Sequence, residues 1–209
     1  MSITTYAELQ AAIGNWLDHG LFTARVPEFI ALFETAANRR LRVRQQETTT
    51  NLTPDANGNA ALPADYLALR RVTWTGSPRV ELAYVHPSYL QAAYPAAPAD
   101  VPRIFTIEGA TLKVRPLDQT ALEVNYFQKI PALAALAPGD GTQANWLLAA
   151  HPDLYLFGAL VEAEMFGVND ERAPVWKARR DEIFDEIDKL NNKTRGGDPG
   201  AARVMGVTP

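Results

Sequence analysis

The sequence contains no cysteine and only three histidines among its 209 residues. Without cysteine, disulfide bonds and thiolate metal sites are excluded. His19, His86 and His151 lie far apart, and none has a second ligand four residues away on a helix, as a helical zinc site requires. A glycine-rich phosphate loop and a G-x-S-x-G nucleophile motif are also missing. We therefore expect no cofactor, no metal ion and no enzymatic activity.

Long apolar runs and an excess of positive charge are missing as well. No apolar run reaches the roughly 20 residues of a membrane-spanning helix, and the first ten residues lack the regions of a signal peptide. With 20 basic and 24 acidic residues, the net charge is −4, which disfavours broad phosphate binding but allows a local basic patch. We expect a protein without membrane contact, made in the cytoplasm, and long enough for one domain.

The most apolar stretch runs from Pro152 to Phe166 and predicts the central helix of the domain. Its residues are apolar on nearly all sides, which is typical of a helix buried inside a domain. Pro152 suits the first turn of a helix, and Asp153 then lies where the positive end of the helix dipole stabilises an anion. Gly167 is a residue type that commonly ends a helix.

Three further helices are predicted from apolar residues recurring every three to four positions. The first begins at a capping box, Thr5-Tyr6-Ala7-Glu8, and ends at Gly20. The second begins at Pro27, and the last begins at Asn169-Asp170 and ends at Asn191-Asn192. Their predicted buried faces are Tyr6, Leu9, Ile13, Trp16 and Leu17; Ile30, Phe33, Ala37 and Leu41; and Trp176, Ile183, Ile187 and Leu190.

From Thr48 onward the apolar period changes from that of a helix to that of a strand. Strands are predicted at Thr48–Leu52, Leu69–Trp74, Val80–Tyr84, Arg103–Ile107, Thr111–Arg115 and Leu122–Tyr126. The fold class is therefore α+β, a small helical bundle of N- and C-terminal helices with an inserted, mainly antiparallel β region. We predict one domain over 1–192, helical at 1–47 and 138–192 with the β insertion at 48–137, followed by an extended tail at 193–209.

The second helix ends in a basic run that consists of Arg39, Arg40, Arg42 and Arg44. Cations at the C-terminal end of a helix are stabilised by the helix dipole, so a solvated helix end explains the run. The alternative is a surface that faces DNA or another subunit.

Glu162 and Glu164 are two carboxylates within the apolar central helix. Residues two positions apart point to different faces of a helix, so these two cannot form a close acid/base pair by themselves. We interpret them as polar positions at the edge of the helix or at a subunit contact. A metal-dependent hydrolase using either carboxylate is the less favoured alternative.

Several short motifs occur in one order along the chain. They are Tyr6–Leu9, Val26–Ile30, Asn38–Arg42, Leu62–Leu67, Phe105–Gly109, Val124–Phe127, Asn145–Leu148, Pro152–Leu156, Asp170–Ala173 and Trp176. In this order the chain resembles the head-to-tail adaptor (connector, or neck) proteins of tailed bacteriophages. The resemblance implies a virion protein at the head–tail junction. It also implies a homo-oligomeric ring, a dodecamer, beneath the portal protein, with a tail or nozzle protein docking on its other side.

The resemblance also implies how such a subunit works. The C-terminal tails of adaptor rings bind the portal, so Arg195, Arg203, Val204 and Met205 are the expected portal-binding residues. The ring lines part of the channel through which the genome passes during DNA ejection. A net acidic chain suits such a channel, because a basic lumen would bind the duplex. The alternative from a different class is a nucleic-acid-binding module that uses Arg39–Arg44.

Overall fold

The computed structural model describes residues 3–17, 23–96, 98–167 and 172–196, with side chains up to Thr194. Contacts within the chain divide it into two compact units. Met1–Gln45 and Ile130–Pro209 form a helical unit, and Gln46–Lys129 form a β unit. The α+β class, with N- and C-terminal helices and an inserted β region, is confirmed. That both units act as one domain over 1–192 stays a prediction.

In its described residues, the helical unit contains five α-helices that share one hydrophobic core. They are α1 (Tyr6–Leu17), α2 (Val26–Arg40), α4 (Trp146–Ala150), α5 (Pro152–Gly167) and α6 (Ala173–Gly196). Buried side chains from all five belong to the same cluster, including Ile13, Phe33, Leu148, Leu160 and Ile187. Helices from both ends of the chain therefore pack together, as their apolar faces predict.

Helix α1 begins with the predicted capping box. The Glu8 backbone N–H donates to Thr5 Oγ1 at 3.3 Å, and the Thr5 backbone N–H donates to Glu8 Oε2 at 3.1 Å. Each side chain thus satisfies a backbone donor that the first turn leaves unpaired. Hydrogen bonds from Thr4, larger in effect than those from Thr5, hold the pKa of Glu8 below its usual value.

Helix α5 lies at the centre of the helical unit and packs against α1, α2, α4 and α6. It begins at Pro152 as predicted and extends through Gly167, the predicted stop, and most of its residues are buried. Gly158 allows α2 to approach closely, because a Cβ atom at this position would lie within 2.0 Å of the Phe33 ring. Phe33 in turn contacts Tyr155 edge-on at a ring-centroid distance of 5.0 Å.

The β unit consists of two four-stranded sheets and one short helix, α3 (Pro87–Ala93). The strands are β1 (Glu47–Leu52), β2 (Asn59–Ala61), β3 (Tyr66–Trp74), β4 (Val80–Glu81), β5 (Ala83–Tyr84), β6 (Ile104–Glu108), β7 (Thr111–Arg115) and β8 (Leu122–Gln128). The sheet orders are β1-β8-β3-β4 and β2-β7-β6-β5. Among the strand pairs of these two sheets in the described residues, β5–β6 is parallel and the others are antiparallel. Side chains from both sheets form a second core, which includes Val72 and Val124 of one sheet and Phe105 and Val114 of the other.

The observed boundaries differ from the sequence prediction in two places. Residues 130–137, predicted as part of the β insertion, belong to the helical unit because Ile130 and Leu133 are buried in its core. Helix α6 continues to Gly196, so residues 193–196 are helical rather than extended. The first residues of the predicted last helix, Asn169-Asp170, and the predicted end of α1 at Gly20 lie outside the described residues.

Two residues of the predicted buried faces are in fact exposed. Leu190 is 60% exposed on α6, and Trp16 is 45% exposed on α1. Leu190 lies towards the end of α6, beyond the last core residue of that helix, Ile187. Trp16 lies at the surface and contacts Phe157 and Trp176 edge-on, with ring centroids 6.0 and 5.4 Å away.

The close approach at Gly158 leads to a test of the core. We expect Gly158→Ala to lower the free energy of unfolding by about 1–3 kcal/mol, because the added methyl group must displace the buried Phe33 ring. Gly14→Ala, also within a helix, is the matched control, since its Cβ would meet only a Thr23 methyl group at 3.9 Å. The control should be neutral or stabilising by up to about 1 kcal/mol. Chemical denaturation measures both, and equal effects would contradict the packing described.

Candidate interaction surfaces

The predicted basic run begins at the C-terminal end of α2, where Arg40 connects α2 to α6. Its guanidinium donates to Asp181 Oδ1 at 3.1 Å and also to Asp185 Oδ1. The same guanidinium carbon lies 4.5 Å from the centre of the Phe184 ring. Two carboxylates thus balance the charge of Arg40, and its contacts orient α6 against α2 within the chain.

The other three arginines of the run have different surroundings. Arg42 is half-buried, and its Nη1 donates to the Asn38 carbonyl at 2.7 Å and to the Leu41 carbonyl, groups that the end of α2 leaves without helical partners. The Arg44 backbone N–H donates to Asn191 Oδ1 at 3.1 Å. Arg39 and Arg44 have exposed side chains. The four guanidinium groups therefore do not form one uniform basic surface, and a role in DNA contact stays a prediction.

The two carboxylates of α5 also differ in their surroundings. Glu164 is buried, with 7% of its surface exposed, whereas Glu162 is only partly buried. Within the part of the chain that the structure describes, no three histidine, aspartate or glutamate side chains converge in a way that could hold a metal ion. The metal-dependent hydrolase alternative thus gains no support from this geometry.

The predicted portal-binding residues fall almost wholly beyond the described part of the chain. The backbone of Arg195 lies in the last turn of α6, but its side chain is not described. Arg203, Val204 and Met205 lie outside the described residues, so their role stays a prediction. None of the described helices is long and apolar enough to span a bilayer.

A buried polar network that the sequence analysis did not identify joins α2, α5 and the segment before α4. Glu34 Oε1 accepts hydrogen bonds from the Leu133 backbone N–H at 2.8 Å and from the Tyr155 hydroxyl at 3.2 Å. Asn145 Nδ2 donates to the same hydroxyl at 2.6 Å and to the Pro131 carbonyl at 2.8 Å. The network fixes the path of the chain as it returns from the β unit to α4.

Two more contacts complete this attachment. The Ile130 backbone N–H donates to Asn38 Oδ1 at 2.7 Å, and Asn38 Nδ2 donates back to the Ile130 carbonyl at 3.4 Å. Asn145 also caps α4, because its Oδ1 accepts from the Leu148 backbone N–H at 2.8 Å. Glu34 and Asn38, one turn apart on α2, therefore hold the segment by its backbone.

Burial shifts the ionisation of both acidic groups in the network. Loss of hydration raises the pKa of the Glu34 carboxyl, although the hydrogen bonds from Leu133 and Tyr155 oppose the rise. Burial, together with the nearby Glu34 charge, raises the pKa of the Tyr155 hydroxyl. The sequence did hold a signal for this network, since Glu34 lies between Phe33 and Ala37 on the predicted buried face of α2.

Comparison with known proteins identifies one family. A sequence model described as SU10 adaptor protein matches residues 4–204 of the chain. No curated protein matches the chain. The matched range includes both structural units, and it extends past the end of α6 at Gly196.

The raised pKa of Glu34 predicts a specific pH dependence of stability. A carboxyl group whose pKa is higher in the folded protein stabilises it fully below its unfolded pKa, and this contribution is lost as the pH rises through the folded pKa. Glu34→Gln keeps an oxygen that can accept from Leu133 and Tyr155 but cannot ionise. We therefore expect the stability of the variant relative to the wild type to increase from pH 4 to pH 8.

Urea denaturation at several pH values measures this difference. Glu28→Gln, which removes an exposed carboxylate from the same helix, controls for the loss of an acidic residue as such. A Glu34→Gln variant whose stability relative to the wild type falls as the pH rises would contradict burial as the dominant cause of the shift.

Proposed function

The chain belongs to the SU10 adaptor protein family, and is thus a structural adaptor of a phage, and we propose that it joins the portal protein to the tail. In this proposal, copies of the chain form a dodecameric ring at the head–tail junction of the virion. One side of the ring contacts the portal, and the other contacts a tail or nozzle protein. The genome passes through the ring during ejection, and the chain performs no enzymatic reaction.

The observation that carries the proposal is the length of the family match. The match covers residues 4–204 and so includes α1 at one end and residues beyond α6 at the other. A shared fold by itself does not define a function. The match continues past the end of α6 and includes Arg203 and Val204. It therefore supports a role for the C-terminal segment in addition to the helical and β units.

The composition of the C-terminal segment supports its assignment as the portal anchor. Residues 197–209 contain Gly197, Pro199 and Gly200 but few large apolar side chains, so they cannot form a core of their own. Ordering such a segment on a partner loses conformational entropy, and a single copy therefore binds weakly. In a ring, the binding of one tail holds the other tails close to their sites on the portal. Their high effective concentration there compensates for the weak binding of each tail.

The charge of the chain supports passage of DNA without tight binding. The net charge is −4, and Arg40, the most closely paired arginine of the basic run, is engaged by Asp181 and Asp185. A protein that neutralises many phosphates binds duplex DNA with high affinity at low salt. A channel subunit should instead allow the duplex to slide past.

Removal of the tail tests the proposed anchor. Deletion of residues 197–209 leaves α6 complete to Gly196, so we expect an unchanged melting temperature together with loss of binding to the portal. A shorter deletion of residues 206–209, which keeps Arg203, Val204 and Met205, is the matched control and should still bind. Co-sedimentation with purified portal measures the binding. Unchanged binding by the longer deletion would show that the portal anchor lies elsewhere.

A further inference from the structure

Helix α2 has an outer face that is exposed in the described part of the chain. Glu28, Ala31, Leu32, Thr35 and Arg39 recur at three- and four-residue steps, so they line one side of the helix, and all five are exposed. Leu32 is 53% exposed in the middle of this face. An acidic group lies near the start of the face and a basic group near its end, with an apolar centre between them.

Helix α6 has a second outer face of related design. Glu182, Glu186, Lys189, Leu190 and Lys193 are exposed and follow one side of the helix, opposite the core residues Phe184 and Ile187. Leu190 is 60% exposed. Here the acidic groups come first along the chain and the basic groups last, again with a large apolar side chain among them.

The two faces match each other when the helices run antiparallel. Glu28 and Arg39 are eleven residues apart, as are Glu182 and Lys193, and each interval corresponds to about 16 Å along a helix. In the antiparallel register, the facing positions are Arg39 with Glu182, Thr35 with Glu186, Leu32 with Lys189 and Leu190, and Glu28 with Lys193. Both end positions pair opposite charges, and the two exposed leucines meet.

We propose that the outer face of α2 in one copy packs antiparallel against the outer face of α6 in a second copy of this chain. The proposal rests on the proposed adaptor function, since it specifies how subunits of that ring contact each other. The contact is heterologous, because two different surfaces of the chain meet. Repetition of a heterologous contact closes into a ring when its rotation allows.

The carboxylates at both ends of the contact are available for it. Glu28 pairs with Arg25 at 3.5 Å and Glu182 with Arg179, both within their own helical segments and both more than half exposed. Exposed pairs of this kind contribute little to stability, so an arriving lysine or arginine can share or replace them. A contact along three helical turns is smaller than a stable interface requires, and it therefore depends on simultaneous contacts around the ring.

Cysteine cross-linking tests the contact, because the natural chain contains no cysteine. One variant carries Leu32→Cys, and a second, lengthened by a purification tag, carries Leu190→Cys. Both positions are exposed, so neither substitution disturbs the core. The two variants are mixed and mildly oxidised under two conditions, in the absence of portal at high protein concentration and bound to portal. Under both conditions we expect cross-linked pairs that contain one chain of each kind.

The matched control replaces the second variant with a tagged Val175→Cys variant. Val175 is 61% exposed and lies on the same helix, about 22 Å from Leu190 along the helix axis. This mixture should give several-fold fewer mixed pairs. Equal yields from both mixtures, or no mixed pairs under either condition, would overturn the proposal. Efficient cross-linking of the Leu32→Cys variant to itself would also overturn it, because it would indicate a symmetric contact.

Charge reversal tests the register independently. Introducing Glu28→Lys into the Leu32→Cys variant places two lysines together and should lower the yield about two- to five-fold. Introducing Lys193→Glu into the Leu190→Cys variant should then restore the yield, and failure to restore it would overturn this register.

Portal co-sedimentation of the same variants separates the proposed contact from the proposed adaptor function. Subunits that bind portal without cross-linking would refute this contact alone, whereas subunits that never bind portal would refute the adaptor function.

Discussion

The helical unit depends on the burial of α5 on nearly all sides. A helix with so few polar residues is stable in water only when other helices cover it, and four helices, from before and after the β unit, do so. The covering is close enough that Gly158 has no room for a side chain beside Phe33. The two ends of the chain therefore meet around α5, although the β unit separates them in sequence.

The polar network around Glu34 positions the segment that leads from the β unit to α4. The chain leaves the β unit at Lys129 and must pass close to α2 and α5 before α4 begins. Its backbone groups there need hydrogen-bond partners, because unpaired buried groups are costly. Glu34, Asn38 and Asn145 supply them at Leu133, Ile130 and Pro131. A buried carboxylate is thus tolerated here because it fixes the position of a segment that apolar contacts alone would not determine.

Features that depend on local sequence could be predicted, and features that depend on tertiary contacts could not. The apolar pattern predicted α5 from Pro152 to Phe166, one residue short of its end at Gly167, and the capping box predicted the start of α1. The end of the β insertion was placed too late, because only packing shows that Leu133 belongs to the helical core. The exposure of Leu190 was missed for a similar reason, since periodicity cannot show where along a helix its covering neighbours end.

Two properties of the chain support the proposal that it is a subunit of a structural ring. The family match spans both units, and the outer faces of α2 and α6 offer complementary charge and apolar groups. Electron microscopy of the chain mixed with its portal protein tests the central claim most directly. We expect a ring of twelve copies attached to one face of the portal, coaxial with its channel. Portal particles that carry no added density, or that carry single copies without ring symmetry, would contradict it.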